Sequence, residues 1–287
     1  MWTGVRETIW RMATAEEEVE IAPEEEVVEE TTVDEPSFES EWTFPPENDG
    51  WYGAHNSIRA ELIKFDLALT AIVERNGNAL DDWRLESVKA YVAGHAEHVR
   101  GHHQNEEDLF WPWLRTKFEI KEEGVGNQHE ALMEKLRAIE EMVKALRVGD
   151  GVDGVLAEWR EYRALVEPHL TFEEQNIVPL MRKHFSQKDA GKKVGEILQK
   201  AAKIELGSFF HHLKSKKTTL EFMAQEGIPW FVWHLDFKGM RTTYREKMEQ
   251  HIQQILAGEK ATKNLVSKAD LQLSINAGDF AWEIPRK

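Results

Sequence analysis

The chain has 287 residues, no cysteine and a formal net charge of −16 at pH 7. Its length allows one large or two ordinary domains, and the absence of cysteine excludes disulfides, thiolate metal sites and cysteine nucleophiles. Fifteen Asp or Glu residues and no Lys or Arg lie between Ala13 and Ala54, so this segment carries nearly all of the net charge. The remainder is almost neutral and lacks the basic surface that phosphate contacts need, so we expect no nucleic-acid binding.

Residues 1–50 form an acidic segment that is poor in large apolar groups after Met12. Such a segment cannot bury enough apolar surface to offset its loss of conformational entropy, so we predict a disordered acidic tail. Its aromatic end, from Phe38 to Trp51, is predicted to lie against the folded domain. The sequence contains no signal-peptide pattern and no apolar stretch long enough to span a bilayer. We therefore expect a soluble cytoplasmic protein that does not bind membranes.

Residues 51–185 are predicted to form four helices. Their predicted bounds are about Asn56–Arg75 and Asp82–Trp111, a third helix between the turns at 124–127 and 148–154, and a fourth helix that ends at about His184. Short connections of this kind favour antiparallel neighbours. The predicted fold is all-α, an antiparallel four-helix bundle.

Each predicted helix carries an apolar stripe at helical spacing that includes a histidine. The stripes are His55, Ile58, Leu62, Phe65, Leu69 and Ile72; Val88, Val92, His95, Val99, His102, Glu106, Leu109 and Trp113; His129, Leu132, Leu136, Ile139, Val143 and Leu146; and Val152, Val155, Trp159, Tyr162, Val166 and His169. A lone histidine on such a face is usually a satisfied core residue. Four together, with carboxylates nearby, predict a metal site inside the bundle because buried imidazoles and carboxylates need a partner.

Four motifs in this region resemble those of the hemerythrin family, and in particular of the hemerythrin-like HHE cation-binding domains. They are WYGAHNSIRAEL around His55, HHQNEEDLFWP at 102–112, NQHEALMEKL around His129, and HLTFEEQNIVPLM at 169–181. The resemblance covers about Trp51 to Phe185. It implies a four-helix bundle that holds two non-haem iron ions bridged by carboxylates and an oxygen species. The metal ligands that it implies are His55, His102, Glu106, His129, His169 and Glu174.

Two residues depart from the family pattern. Classical hemerythrins have a second histidine on the third helix, four residues after the first, where this chain has Met133. One iron is therefore expected to lack a ligand and to be more open, which favours sensing or oxidation over reversible oxygen transport. Pro168 precedes His169 and is expected to disturb the fourth helix, because proline removes a backbone donor and crowds the preceding turn.

Three doublets leave the register of the site open by one residue. They are His102/His103, Glu106/Glu107 and Glu173/Glu174. The apolar stripe of the second helix favours His102 and Glu106, because their neighbours lie about 100° round the helix. For the last doublet the family spacing favours Glu174, whereas straight helical geometry favours Glu173.

Residues 186–287 are predicted to form a helical C-terminal extension, with amphipathic helices at 188–213 and 238–256. The aromatic segment 228–237, IPWFVWHLDF, is predicted to cover the bundle, with a partner or dimer interface as the alternative. The histidines of the extension have no partners at repeated helical spacing and are assigned to packing or to the surface. They are His211, His212, His234 and His251.

Imidazole and carboxylate donors suit iron, manganese, zinc or copper better than magnesium or calcium. The Glu-x-x-His pairs of ferritin-like proteins and the HExxH motif of zinc proteases are both absent from the sequence. The leading hypothesis is a non-enzymatic di-iron protein that binds or senses molecular oxygen or a related small molecule. One alternative is a di-iron oxidase or peroxidase acting on a small substrate. Another is a helical interaction protein with structural metal, in which the tail or the aromatic segment binds a protein partner.

Overall fold

The computed structural model describes residues 40–75, 79–120, 126–213 and 215–260. Helices make up most of this part of the chain, and no strand occurs within it, which confirms the all-α prediction. The predicted disordered tail lies outside the described residues except for its last part, from residue 40. None of the helices in the described ranges is long and apolar enough to cross a membrane.

Four long helices follow one another between residues 50 and 184. They are α1, Gly50–Arg75; α2, Asp82–Asn105; α3, Gly126–Ala145; and α4, Asp153–His184. The side chain of Asp81 caps α2 by accepting a hydrogen bond from the backbone N–H of Arg84 at 3.0 Å. After Asn105 the chain stays helical through a π turn, Glu106–Phe110, and a last α-helical turn, Trp111–Leu114.

These four helices, called the bundle below, form a closed ring of contacts. Helix α1 packs against α2 and α4, and α3 packs against the same two helices. Neighbours run antiparallel, because contacts between α1 and α4 pair in reverse order along the chain. Arg59 bonds Glu174, whereas the indole N–H of Trp159 donates to the carbonyl of Leu62, which lies further along α1, at 2.9 Å.

The core of the bundle is formed by the predicted apolar stripes. The stripe residues from Ile58 to Ile72 on α1 are at most 1 % exposed, and Trp159 and Tyr162 on α4 are fully buried. Ring contacts reinforce this packing: Phe65 lies 4.7 Å from Trp159 between ring centroids. The 3.6-residue periodicity therefore predicted the buried faces of these helices correctly.

Helix α4 runs unbroken from Asp153 to His184 although Pro168 and Pro179 both lie inside it. Pro168 was expected to disturb this helix, but the helix continues through it without a break. A proline removes one backbone donor, and burial of Val166, His169 and Leu170 on either side holds the helix in place.

Within the described residues, up to 260, the C-terminal extension is helical, as predicted, but is more divided than the sequence indicated. Its elements are α5, Gln187–Lys200; α6, Lys203–His212; α7, Lys216–Gln225; a π turn, Trp233–Phe237; α8, Lys238–Tyr244; a second π turn, Arg245–Glu249; and α9, Gln250–Ala257. Helices α6 and α9 both pack against α1 and α2 of the bundle. The extension thus covers the face of the bundle that these two helices form.

The aromatic segment of the extension is partly buried, mainly against other residues of the extension. Trp233 and Phe237 belong to a separate apolar core of the extension, which also contains Phe210. Trp230 is 68 % exposed and Phe231 is 40 % exposed. The prediction that the whole segment covers the bundle was therefore wrong.

The aromatic end of the N-terminal segment lies against the bundle, as predicted, in the part that the structure describes. The indole N–H of Trp42 donates to the carbonyl of Phe185 at 3.0 Å. The guanidinium of Arg182 lies over the Trp42 ring, 4.5 Å from its centroid. These contacts place the segment beside the C-terminal end of α4.

A buried polar network joins the extension to α1 and α2. The carboxylate of Glu61 accepts a hydrogen bond from the Ser208 hydroxyl on α6 at 2.5 Å. The same carboxylate lies 2.7 Å from Nδ1 of His95 and 2.9 Å from Nδ1 of His98. Burial by itself raises the pKa of Glu61, but the two histidines hold it well below its usual range. The Glu61 carboxylate thus has partners on both α2 and α6. The sequence pattern did not single it out.

We expect Gly207→Ala to loosen the attachment of α6 to α8. A Cβ atom at Gly207 would lie 2.4 Å from the backbone oxygen of Met240 and 2.7 Å from Cβ of Tyr244. Overpacking against backbone should lower the free energy of unfolding by about 1–3 kcal/mol, measured by urea denaturation.

The matched control is Gly239→Ala on the exposed side of α8. No atom lies within 4 Å of its added Cβ, so the higher helix propensity of alanine should stabilise the protein by about 0.5–1 kcal/mol. Equal effects of the two substitutions would contradict close packing at Gly207.

Candidate metal centre

Side chains from all four bundle helices meet in two neighbouring clusters. The mixed cluster consists of His55, His102, Glu106 and Glu173, and the three-histidine cluster consists of His103, His129 and His169. Within each cluster, one potential ligand atom per residue lies within 4.8 Å of all the others. All seven side chains are buried. Each cluster can therefore hold a metal ion.

Glu106 lies between the two clusters at the start of the π turn. Its Oε1 is 3.1 Å from Nε2 of His102, and its Oε2 is 3.5 Å from Nε2 of His129. One oxygen of this carboxylate therefore faces each cluster. Single π turns inside α-helices occur frequently at functional sites, because they change the direction of side chains within one turn.

Glu173, which lies on α4, also turns one carboxylate oxygen to each cluster. Its Oε2 is 3.3 Å from Nε2 of His55, and its Oε1 is 3.4 Å from Nε2 of His169, one helical turn earlier on the same helix. The unbroken helix explains this placement, since residues four apart share a face. Straight helical geometry, and not the family spacing, thus agrees with the observed position of Glu173.

Glu174 lies outside the mixed cluster, although the resemblance implied it as a ligand. Its Oε1 is 2.9 Å from Nδ1 of His55, the nitrogen on the outer side of the ring. Both of its oxygens also accept hydrogen bonds from the guanidinium of Arg59, at 2.6 and 2.9 Å. Glu174 therefore orients His55, and its charge is balanced by Arg59.

His103 completes the three-histidine cluster. Its ring stacks on that of His129, with centroids 4.2 Å apart and planes at 18°. Met133, where the family has its additional histidine, packs against the apolar core instead. His103 thus provides a third histidine, whereas the sequence pattern predicted that one iron would lack a ligand. Sequence reasoning did not select it, although the His102/His103 doublet had left the register open.

The two remaining histidines of this cluster point their Nε2 atoms at each other. Nδ1 of His129 is 2.9 Å from a carboxylate oxygen of Glu107, and Nδ1 of His169 is 3.0 Å from the amide oxygen of Gln128. The two Nε2 atoms are 3.1 Å apart, within hydrogen-bonding distance. Burial lowers the pKa of His129, but Glu173, Glu106 and Glu107 raise it to about 9, so the protonated ring can donate to His169, and a metal ion at this cluster would replace that proton.

Several polar atoms that face the clusters lack a hydrogen-bond partner among the described residues. They are Nε2 of His102, Nδ1 of His103 and all four carboxylate oxygens of Glu106 and Glu173. The nearby imidazole nitrogens approach these oxygens but not in hydrogen-bonding geometry. Because leaving buried carboxylates without partners is costly, the donor set fits bound cations.

The charge states also fit metal ligation. Burial raises the pKa of Glu106, but His102 and the other nearby histidines lower it well below its usual range. The pKa of Glu173 is raised by burial and by Glu106, and nearby histidines bring it below its usual value. Burial keeps the pKa of His103 well below its usual value. At neutral pH the carboxylates are thus ionised and His103 is neutral, as metal ligands must be. Burial lowers the pKa of His55, but Glu106, Glu173 and Glu174 raise it to about 10, so a metal ion would displace a proton from this ring.

A third group of possible ligands lies in the extension. It contains His211, His212 and Glu249. The ammonium group of Lys64 lies within it, 2.7 Å from Oε2 of Glu249 and 3.2 Å from Nε2 of His212. Since Lys64 already supplies a positive charge there, this group is a polar contact between α1 and the extension.

Comparison with known proteins supports a metal-binding domain. Residues 48–181 match the family model described as the hemerythrin HHE cation binding domain. No curated protein and no solved structure matches the chain. The matched range includes all seven side chains of the two clusters. Residues 48–181, a little under half of the chain, are therefore similar to the hemerythrin HHE cation-binding domains.

Proposed function

We propose that the bundle holds two iron ions and binds molecular oxygen or a related small ligand. The observation that carries this proposal is the arrangement of Glu106 and Glu173, each of which turns one oxygen to each cluster. Two carboxylates in this position can bridge a pair of metal ions. Nitrogen and oxygen donors of this kind suit iron, although they suit manganese and zinc as well.

The proposed ligands differ at two positions from those that the resemblance implied. Glu173 replaces Glu174, and His103 is added. The three-histidine cluster would hold one ion together with Glu106 and Glu173, and His55 and His102 would hold the other with the same two carboxylates. The full proposed set is His55, His102, His103, Glu106, His129, His169 and Glu173.

This set is asymmetric, with one histidine fewer at the mixed cluster. An ion there would have one protein ligand fewer, so an exogenous ligand is expected to bind on this side. When bound, two ferrous ions supply the electrons that oxygen takes up. Aromatic side chains next to the clusters restrict access of water: Trp51 lies 4.2 Å from Phe110 and 5.5 Å from Trp111 between ring centroids.

Protein purified without added metal is expected to contain about two iron ions per chain, one for each cluster. Near-ultraviolet absorption should fall on reduction and return on exposure to oxygen, because charge transfer from oxygen ligands to iron(III) is lost when the iron is ferrous. Metal analysis and absorption spectra of the same sample test this. Less than half an equivalent of transition metal after anaerobic iron loading would refute the proposal. Uptake of oxygen in many turnovers with a reductant would indicate an oxidase instead.

Glu173→Gln and Glu174→Gln form a matched pair that tests the assignment of the ligand. Glu173→Gln removes a charged bridge and should reduce the stoichiometry below two ions per chain. Glu174→Gln loses only the carboxylate that orients His55, so both ions should remain bound, with affinity reduced about 10- to 100-fold. Competition with a metal chelator measures both quantities. If Glu174→Gln lost an ion while Glu173→Gln kept both, Glu174 would be the ligand instead of Glu173.

His103→Ala should remove one of the two ions, because it takes one of three histidines from a single cluster. The control is Met133→Ala at the position where the family pattern has a histidine. Met133 packs against the core, so this change should lower stability and leave the metal stoichiometry at two. Metal analysis after dialysis distinguishes the variants, and two tightly held ions in His103→Ala would count against the three-histidine site.

A further inference from the structure

A cavity of about 100 Å³ lies beside the mixed cluster, where the bundle meets the extension and the N-terminal segment. Its walls are mostly apolar, and each of the three parts of the chain contributes to them. Representative lining residues are Trp42 and Phe44 from the N-terminal segment, Trp51 and Ala54 from α1, and Ile197 and Phe209 from the extension.

The cavity reaches the proposed metal centre from one side only. His102 and Glu106 of the mixed cluster line it, and both carry buried polar atoms without a hydrogen-bond partner among the described residues. The three-histidine cluster lies outside the described lining. A molecule in the cavity would therefore contact the side of the centre that has fewer histidines.

The walls select a neutral and mostly apolar molecule. A charged group would lose its hydration in the cavity and find few partners on apolar walls. Burial raises the pKa of the acidic side chains Asp49, Glu205 and Glu226 in the lining, which weakens their attraction for a cation, and the described lining contains no Lys or Arg to pair with an anion. Glu205 is itself partnered, since it accepts hydrogen bonds from Asn105 at 3.0 and 3.2 Å.

The volume limits the size of the molecule. Apolar cavities of about 150 Å³ in protein cores stay dry and bind benzene, so a cavity of about 100 Å³ accepts at most about one ring. Aromatic walls such as Phe209 and Phe222, whose ring centroids lie 4.9 Å apart, favour another aromatic ring through edge and face contacts.

We propose that this cavity binds a neutral, single-ring organic molecule with one edge against His102 and Glu106. The proposal rests on the function proposed above and adds the chemical class of the molecule that shares the centre with the metal. Much of the binding surface comes from residues outside 48–181, including Phe44, Val194 and Phe222. The site is therefore a property of the full chain and not of the matched domain alone.

The test uses fluorobenzene as the probe and the full-length protein loaded with zinc(II) or cobalt(II). Fluorine NMR titration should show one molecule bound per chain, at least about tenfold more tightly than para-fluorobenzoate, because the anion must be desolvated. Relaxation of the bound fluorine should be much faster in the cobalt(II) protein, since the paramagnetic ion lies beside the cavity. Equal relaxation in the two proteins, or equal binding of the anion, would overturn the proposal.

Two variants fill the cavity. Ala54→Leu and Ala190→Leu each add three carbons to its wall and should weaken fluorobenzene binding about tenfold or more by occupying its space. Ala190 lies on α5 and belongs to neither metal cluster. The matched control is Ala60→Leu, a half-buried alanine of α1 outside the described lining, which should bind the probe as the unsubstituted protein does. Unchanged affinity in both filled variants would overturn the proposal.

Metal analysis of the same samples separates the two proposals. Protein that binds metal but no fluorobenzene refutes the cavity proposal and leaves the proposed function in place. Protein that binds fluorobenzene but no iron, zinc or cobalt refutes the proposed function, and with it the placement of the ring beside a metal ion.

Discussion

Two buried carboxylates set the strongest constraint on the bundle. Glu106 and Glu173 are at most 5 % exposed, and ionised carboxylates are stable at such depth only if positive charge and donors surround them. The constraint involves all four helices, because the surrounding imidazoles come from α1, α2, α3 and α4. At this end of the bundle, the need to surround the two carboxylates therefore decides which side chains pack together. The far end, around Ile72, Val143 and Val155, is apolar core.

That division explains how much of the fold could be predicted from the sequence. Apolar packing follows helical periodicity, so the buried stripes from Ile58 to Ile72 and from Leu132 to Val143 could be found by counting. The resemblance to hemerythrins supplied the class of site and most of its histidines. The Glu61 network was not predicted, because its partner Ser208 is distant in sequence and has no periodic signal.

The register of the metal centre was the part that counting could not determine. The π turn that begins at Glu106 adds a residue to one turn of α2, so the buried face shifts: Trp111 and Leu114 are at most 1 % exposed, whereas Trp113, which continued the predicted stripe, is only partly buried. On α4 the sequence suggested an irregularity that is not observed. Pro168 was expected to disturb the helix, but the helix continues and Glu173 follows His169 by one turn.

The buried contacts between α1 and the extension have a consequence for where the chain can be cut. Ser208 and Glu249 partner Glu61 and Lys64 of α1, so a fragment that ends at residue 185 would expose α1 groups evolved for burial. The stretch that matches the family model and the stretch joined by buried polar contacts are therefore different. The candidate metal ligands lie within residues 48–181, but the buried partners of α1 extend to Glu249, just before α9.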